Sequence, residues 1–465
     1  MGKKSATRVL LLGALSLPVI AQAQDQIDAL RMRLGISERL ETGRNLQLDY
    51  PELGSSTIST TTLSFGITKD SEIEKLNFGV SGALQIQNTP DTNGTEWDFA
   101  DPRFNLTYSR NGENADLSVF ANYVQSSIDT LTLQDFIDEN GDILLPEDFQ
   151  NLQGNGTRTS YGAGIVLQTN EGDPLRFNLS AGTSGIDYSG QVDPDLYNYN
   201  RAYAGVKAFL RLSDVARATA SLRYSTYDAQ DSVETYRTTT LGTVGFEYDV
   251  SARATVNGSI GLTHINTEEI GSPDDTVDKP VGNLGYTLDM PNGAITADLA
   301  FLTDAEGAQR TDLVFGRSLE LPDGSLSFTF GLTDPEFGNV EPIGSLNWRR
   351  KLPTGTLSAQ LARKVTTWNT DETSLSSLVA LNYRQSINQV SGFGLTATYA
   401  QADGTQSSDA SWRSGLTASY YYQLTPDWNL DTGVSYRTYK EDGMGGTATS
   451  PLFYITIARS FDFTP

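Results

Sequence analysis

The sequence predicts an all-β fold, a transmembrane antiparallel up-and-down β-barrel of about 22 strands (20 to 24) with no N-terminal plug domain. Three observations predict it. First, residues 411 to 438 alternate with a period of two: Trp412, Ser414, Leu416, Ala418, Tyr420 and Tyr422 share one face, and Arg413, Gly415, Thr417, Ser419 and Tyr421 the other. After a turn at Thr425-Pro426-Asp427, the residues Trp428, Leu430, Thr432, Val434 and Tyr436 return with the same two-faced chemistry. Second, such strands are far longer than the roughly 5 to 6 residues usual in soluble sheets. Third, nothing after the leader reaches the ~18 to 20 unbroken apolar residues of a spanning helix. A mean hydropathy of −0.33 excludes a bundle of apolar helices. A closed barrel escapes that test, because only alternate residues face lipid and every backbone group pairs between strands.

Bulk composition bounds the function. The chain has 465 residues, no Cys, one His and a formal charge of −24. Such acidity keeps loops solvated and argues against nucleic acid as a partner. Residues 1–23 have the three parts of a secretory signal: Lys3, Lys4 and Arg8, an apolar run from Val9 to Ile20, and Ala21-Gln22-Ala23 as the cleavage site. Cleavage after Ala23 leaves residues 24–465 as the barrel. No acid precedes Asp25, so the mature chain is more acidic still. The absence of Cys fits export without disulfides and the cytosol alike, so it decides little.

In chain order, strands are expected near 28 to 40 and 60 to 68, where alternation is weakest. The next, 74 to 87, aligns Leu76, Phe78, Val80, Leu84 and Ile86, and 99 to 111 and 114 to 127 flank Asn111-Gly112-Glu113. Strands at 157 to 170 and 174 to 186 flank Glu171-Gly172-Asp173. Those at 200 to 213 and 215 to 228 flank Ser213-Asp214, the second with Ala216, Ala218, Ala220, Leu222 and Tyr224 on one side. Strands at 235 to 250 and 252 to 265 follow. In the second half, 281 to 290 and 293 to 302 surround Pro291-Asn292-Gly293, and 309 to 320 and 324 to 333 surround Pro322-Asp323-Gly324. Strands at 341 to 351 and 355 to 366 surround Pro353-Thr354-Gly355. Strands at 374 to 386, 389 to 401, 411 to 424, 426 to 438 and 451 to 463 complete the set. Gly, Pro, Asn and Asp reverse the chain at once in these turns. Each tight turn is followed, one strand later, by a longer polar loop. With the N-terminus on the periplasmic side, the tight turns fall there and the loops outside, the polarity of outer-membrane barrels. Only Gln24 to Ile27 precede the first strand, too little for a plug, so closure of the lumen is left to loops or side chains.

The last strand sets Phe453, Ile455, Ile457, Phe461 and Phe463 on one face, interrupted by Arg459 and followed by Thr464-Pro465. It resembles the C-terminal signal of bacterial outer-membrane proteins, which implies the barrel-assembly machinery as a partner. The whole mature chain resembles large, plugless outer-membrane porins and is similar in layout to barrels encoded with exopolysaccharide export systems. That resemblance implies an integral protein of the Gram-negative outer membrane, surrounded by lipid and lipopolysaccharide, that passes small solutes or an anionic polysaccharide. It implies no cofactor, and a homo-oligomer is left open.

Parity collects bases opposite the apolar faces. Arg31, Arg33, Arg103, Arg176, Arg201, Lys207, Arg211, Arg217, Arg223, Arg253, Arg349, Lys364, Arg384, Arg413 and Arg437 are expected to point inward, against Glu247, Asp298, Asp312, Glu320 and Asp431. Two readings are open. Fixed positive charge in a water-filled pore favours anions; alternatively the arginines pair with acids from inturned loops and hold the lumen together.

The longest loop, 128 to 156, is the third outward one, and in position and length it resembles the constriction loop of general porins. Its acids Asp135, Asp138, Glu139, Asp142, Glu147 and Asp148 are set against the basic wall, or else cap the surface as a solvated lid. Asp138, Asn140, Asp142 and Glu147 resemble a calcium-binding EF-hand loop, although Glu147 comes two residues early and Ile143 stands where Gly belongs. An Asn-Gly turn is the plainer account.

No catalysis is expected. The single His264 falls on an outer face, away from any nucleophile, unlike the arrangement in the outer-membrane phospholipase. Trp97, Trp348, Trp368, Trp412 and Trp428 lie near strand ends, where an aromatic girdle belongs. The expected function is therefore a passive channel favouring anions. The alternative is a non-conducting structural, secretion or adhesion scaffold.

Overall fold

The computed structural model describes residues 30–90, 95–128, 148, 152, 154–169, 172–192, 196–305, 307–336, 339–367, 373–403 and 410–464. The leader, Trp368 and most of the 128–156 loop lie outside them. The described chain is strand after strand. In the first half these are β1 (Arg31–Arg44), β2 (Ser55–Asp70), β3 (Glu74–Asn88), β4 (Glu96–Asn111), β5 (Ala115–Ser127), β6 (Gly154–Thr169), β7 (Leu175–Val192), β8 (Tyr199–Arg211), β9 (Ala216–Ala229), β10 (Tyr236–Ser251) and β11 (Ala254–Glu268). The second half has β12 (Asp275–Met290), β13 (Gly293–Thr303), β14 (Gln309–Leu321), β15 (Gly324–Pro335), β16 (Glu341–Leu352), β17 (Gly355–Thr367), β18 (Thr373–Ser386), β19 (Ser391–Ala402), β20 (Ser411–Gln423), β21 (Trp428–Glu441) and β22 (Ala448–Phe463).

Each strand pairs antiparallel with the next, and the single 22-stranded sheet closes on itself where β1 pairs β22, from Met32↔Phe463 to Gly43↔Leu452. Closure removes both sheet edges, the condition for strands to cross lipid. Strands β1 and β2 run beyond their expected bounds, ending at Arg44 and Asp70. All tight connections lie at the end where β1 begins and β22 finishes, here termed the turn end, and the longer ones at the opposite, loop end.

Turn chemistry accounts for the tight end. The Lys351 amide donates to the Asp323 carbonyl at 2.6 Å and the Ser386 amide to the Thr354 carbonyl at 2.7 Å. Gly293 has φ +130°, and a Cβ there would meet the Ser318 carbonyl oxygen at 2.1 Å, so only glycine fits.

The register turns the fold inside out. Large apolar side chains stand exposed around the outer wall, including Ile260, Phe330, Val244 and Leu416. A water-soluble protein does not tolerate so continuous an apolar surface. Placed in lipid, Phe330→Arg costs about 2–4 kcal/mol near the bilayer midplane. Ser327→Arg, on the lumenal face of the same strand, is expected to be near neutral, and equilibrium unfolding in lipid vesicles compares the two.

Trp97, Trp412 and Trp428 occupy outward positions at strand ends, and Trp348 an outward position nearer the turn end of β16. On the last strand Arg459 also faces outward, 5.3 Å from the Trp428 ring centre and 4.3 Å from that of Phe461. The two rings shelter the cation near the turn-end rim, so it need not enter hydrocarbon.

Candidate functional site

Register fixes which side chains line the lumen, and the basic excess gathers on one arc. On the inner face of β7–β10, Arg176 and Lys207 flank Phe209 at 4.2 and 4.8 Å from its ring centre. Arg223 lies 4.2 Å over Tyr203. Arg201 sits 4.9 Å from Tyr199 and 5.3 Å from Tyr227, and Arg237 lies 5.8 Å from Tyr227 on its other side. Each cation lies on an in-register or neighbouring ring, an attraction of roughly 0.5–1 kcal/mol where water has access. The rings hold the cations along the wall. Lys207 and Arg223 form no ion pair among the described residues.

Nearby the pattern changes. Arg217 reaches Glu247 at 2.9 Å and Asp249 at 3.8 Å, and Arg211 stands opposite Arg217 in the register. At the seam Arg33 meets Asp462 at 2.7 Å. Arg31, Arg103, Arg349 and Lys364 also occupy inward register positions, and Arg384 lies 5.5 Å from the Tyr421 ring.

Arg253 is a correction. It lies exposed in the turn between β10 and β11, where its carbonyl accepts the Asp289 amide at 2.7 Å. The turn is tighter than alternation alone suggested, so this arginine belongs to the rim. The inward bases Arg39, Arg158, Arg237, Lys279 and Arg310 escaped the parity reading, as did the acids Glu41, Asp249, Asp275, Glu341, Glu441 and Asp462. The wall as a whole is therefore less one-sided than expected.

Two further arginines act on loops. Arg437, buried on β21, donates from Nη2 to the Leu46 carbonyl at 2.7 Å and to Ser450 Oγ at 3.1 Å, tying the β1–β2 loop inward. Arg413 on β20 donates to the Leu152 carbonyl. Leu152 belongs to the β5–β6 connection, yet its carbonyl is held by β20, a strand well around the wall from β6.

Its anchor is Asp148, fully buried, which accepts from Arg158 Nη2 at 3.0 Å, from Arg158 Nε and from the Tyr188 hydroxyl. Asp148 therefore presents no free charge to the pore, and it is neither set against the basic wall as a free acid nor part of a solvated lid. Its charge is taken up by a buried partner. Asp135, Asp138, Glu139, Asn140, Asp142 and Glu147 lie outside the described residues, and with them the calcium reading. His264 faces outward on β11 and contacts Asp278 through Nδ1 at 2.8 Å.

Beneath the inturned β1–β2 loop, the lumen holds a chamber of about 450 Å³ against the wall from β19 round to β3. Thr60, Thr62, Gln85 and Thr398 face it, with Leu46 and Leu48 from the loop. Arg39 lies 4.0 Å over the Tyr454 ring and gives one Nη2 hydrogen to Glu41 at 2.6 Å.

No protein-family model matches the sequence, and the search of curated proteins finds no match. Solved structures do share the fold. The FrpB iron transporter from Neisseria meningitidis superposes with a TM-score of 0.58 at 7% identity, over 94% of this chain and 82% of that one. The ferric-catecholate import receptor Fiu from E. coli K12 gives 0.55 at 9% identity, over 95% and 82%. The copper transporter OprC gives 0.52 at 11% identity, over 95% and 82%. The described residues thus form a closed 22-strand barrel that shares its fold with these transporters and receptors.

Proposed function

We propose that this chain is a passive channel of the Gram-negative outer membrane whose lumen favours small anionic solutes or an anionic polysaccharide strand. Residues 1–23 are its export signal, and the outward face of β22 is what the assembly machinery engages. The observation that carries the reading is the cation strip on β7–β9. Lys207 and Arg223 rest on rings rather than carboxylates, so their charge acts on whatever passes. Three neighbours of the same fold are described as iron, ferric-catecholate and copper transporters or receptors, which supports passage of a solute as the barrel's task.

One observation favours the second reading, a non-conducting scaffold. Arg437 draws the β1–β2 loop into the lumen, and Arg413 holds the Leu152 carbonyl there. The same experiment decides between them. Purified full-length protein in planar bilayers is expected to give discrete conductance steps, and a salt gradient a reversal potential of the sign for anions. Absence of conductance leaves the scaffold reading, and the opposite sign removes the electrostatic mechanism.

A further inference from the structure

The chamber under the β1–β2 loop has a chemistry distinct from that of the cation strip. A site for a simple anion needs only donors. Here the hydroxyls of Thr60, Thr62 and Thr398 and the amide of Gln85, each able both to donate and to accept, form no hydrogen bond with another described residue. Their capacity is directed at the contents of the chamber. Thr60 and Thr62 share the inward face of β2, Gln85 is the register partner of Thr60, and Thr398 comes from β19 on the other flank. Between them the Arg39–Glu41 pair adds a donor fork and a carboxylate acceptor, held flat by the stack on Tyr454. Leu46 and Leu48, with Ile58, supply apolar surface.

We propose that this chamber is a binding site for a monosaccharide-sized polyol. A sugar ring carries hydroxyls that donate and accept around its rim and a C–H face that prefers apolar contact. The chamber supplies both complements. Its volume of about 450 Å³ lies inside the roughly 300–1,000 Å³ range of small-molecule sites. The Arg437 tie to the Leu46 carbonyl keeps the apolar surface in place, so the site exists before the ligand arrives. Binding here rests on hydroxyl recognition and stands independently of the anion preference proposed above.

Saturation-transfer NMR on the full-length protein in detergent micelles, with D-glucose and sodium acetate as probes, tests the site. Transfer to the D-glucose ring protons is expected, and excess acetate, drawn to the cation strip elsewhere in the lumen, should leave it undiminished. Thr60→Val, Thr62→Val and Thr398→Val keep side-chain shape and remove one hydroxyl each, and each is expected to weaken D-glucose by about fivefold, the effect of one neutral hydrogen bond. Gln85→Leu serves as a separate probe should the threonine variants fail to fold, with strand content by circular dichroism as the check. No transfer to D-glucose, displacement of D-glucose by acetate, or undiminished transfer in folded variants overturns the proposal. An anion-selective channel that leaves D-glucose unbound overturns the chamber alone. D-glucose binding in a channel without anion preference supports the chamber while the other reading fails.

Discussion

In the channel proposed above, the double substitution Lys207→Glu with Arg223→Glu is expected to invert the ion preference. Both side chains face the lumen on adjacent strands, and neither has a carboxylate partner among the described residues whose loss would complicate the outcome. Phe209 and Tyr203 stay in place to line the wall. Reversal changes the fixed local charge by four units. At ~8 Å in water one unit charge contributes roughly 0.5 kcal/mol to a passing ion. With screening over a Debye length of about 8 Å at physiological salt, four units amount to about 0.8 kcal/mol, of opposite sign for an anion and a cation, and so to about 1.5 kcal/mol in their ratio. The permeability ratio of chloride to potassium should therefore shift by about tenfold and cross unity, changing the sign of the reversal potential in a KCl gradient. Arg33→Gln with Asp462→Asn is the comparison, since removing both members of that ion pair leaves the local net charge unchanged, and it should move the ratio little. An unaltered sign in the double variant would show that selectivity resides elsewhere on the wall.

Asp148→Ala is expected to release the β5–β6 connection from the lumen. Asp148 is fully buried against Arg158 and the Tyr188 hydroxyl, so truncation strands a guanidinium in a site that water barely reaches. Removing one partner of a buried pair costs about 3–5 kcal/mol. The barrel ladder is untouched, so the cost falls on docking of the loop. The chain has no Cys, and Leu152 is 2% exposed, so a single Leu152→Cys reports docking through its reaction with a maleimide. Adding Asp148→Ala should speed that reaction by about 100-fold or more, with a larger unit conductance. Replacing both partners, Asp148→Ala with Arg158→Met, should recover much of the loss, because the stranded charge goes too. Equal labelling rates with and without Asp148 would mean that the loop is held by other groups.

Strand number, wall polarity and the alternation of turns with loops were legible in the sequence because each is written locally. A period of two and a Pro-Asn-Gly turn need no distant partner to be recognised. Strand β2 was read too short because its first half, Ser55 to Thr62, is almost all Ser and Thr, so its two faces do not differ in hydropathy. Strand β4 hides a change of phase. Opposite the irregularity between Ser81 and Ala83, Asp101 takes φ +50°, so Trp97 and Phe99 share the outer face with Phe104 and Leu106 despite opposite parity.

The site was less legible. Parity found Arg413 and Arg437 but gave no sign that their partners are the carbonyls of Leu152 and Leu46, far away in sequence. A main-chain acceptor leaves no compositional trace. The chamber was missed for a related reason. Threonine and glutamine on a lumenal face read as ordinary solvated residues until the register brings β2, β3 and β19 round one space.

The pairing of β1 with β22 has a consequence for how the molecule comes into being. A sheet short of that one ladder would present two rows of bare amides and carbonyls to hydrocarbon, each costing several kcal/mol. Incomplete intermediates therefore cannot linger in the bilayer, and insertion is all-or-none. The hoop is committed only when β22 reaches β1, so that one ladder decides whether the other strands can remain in lipid.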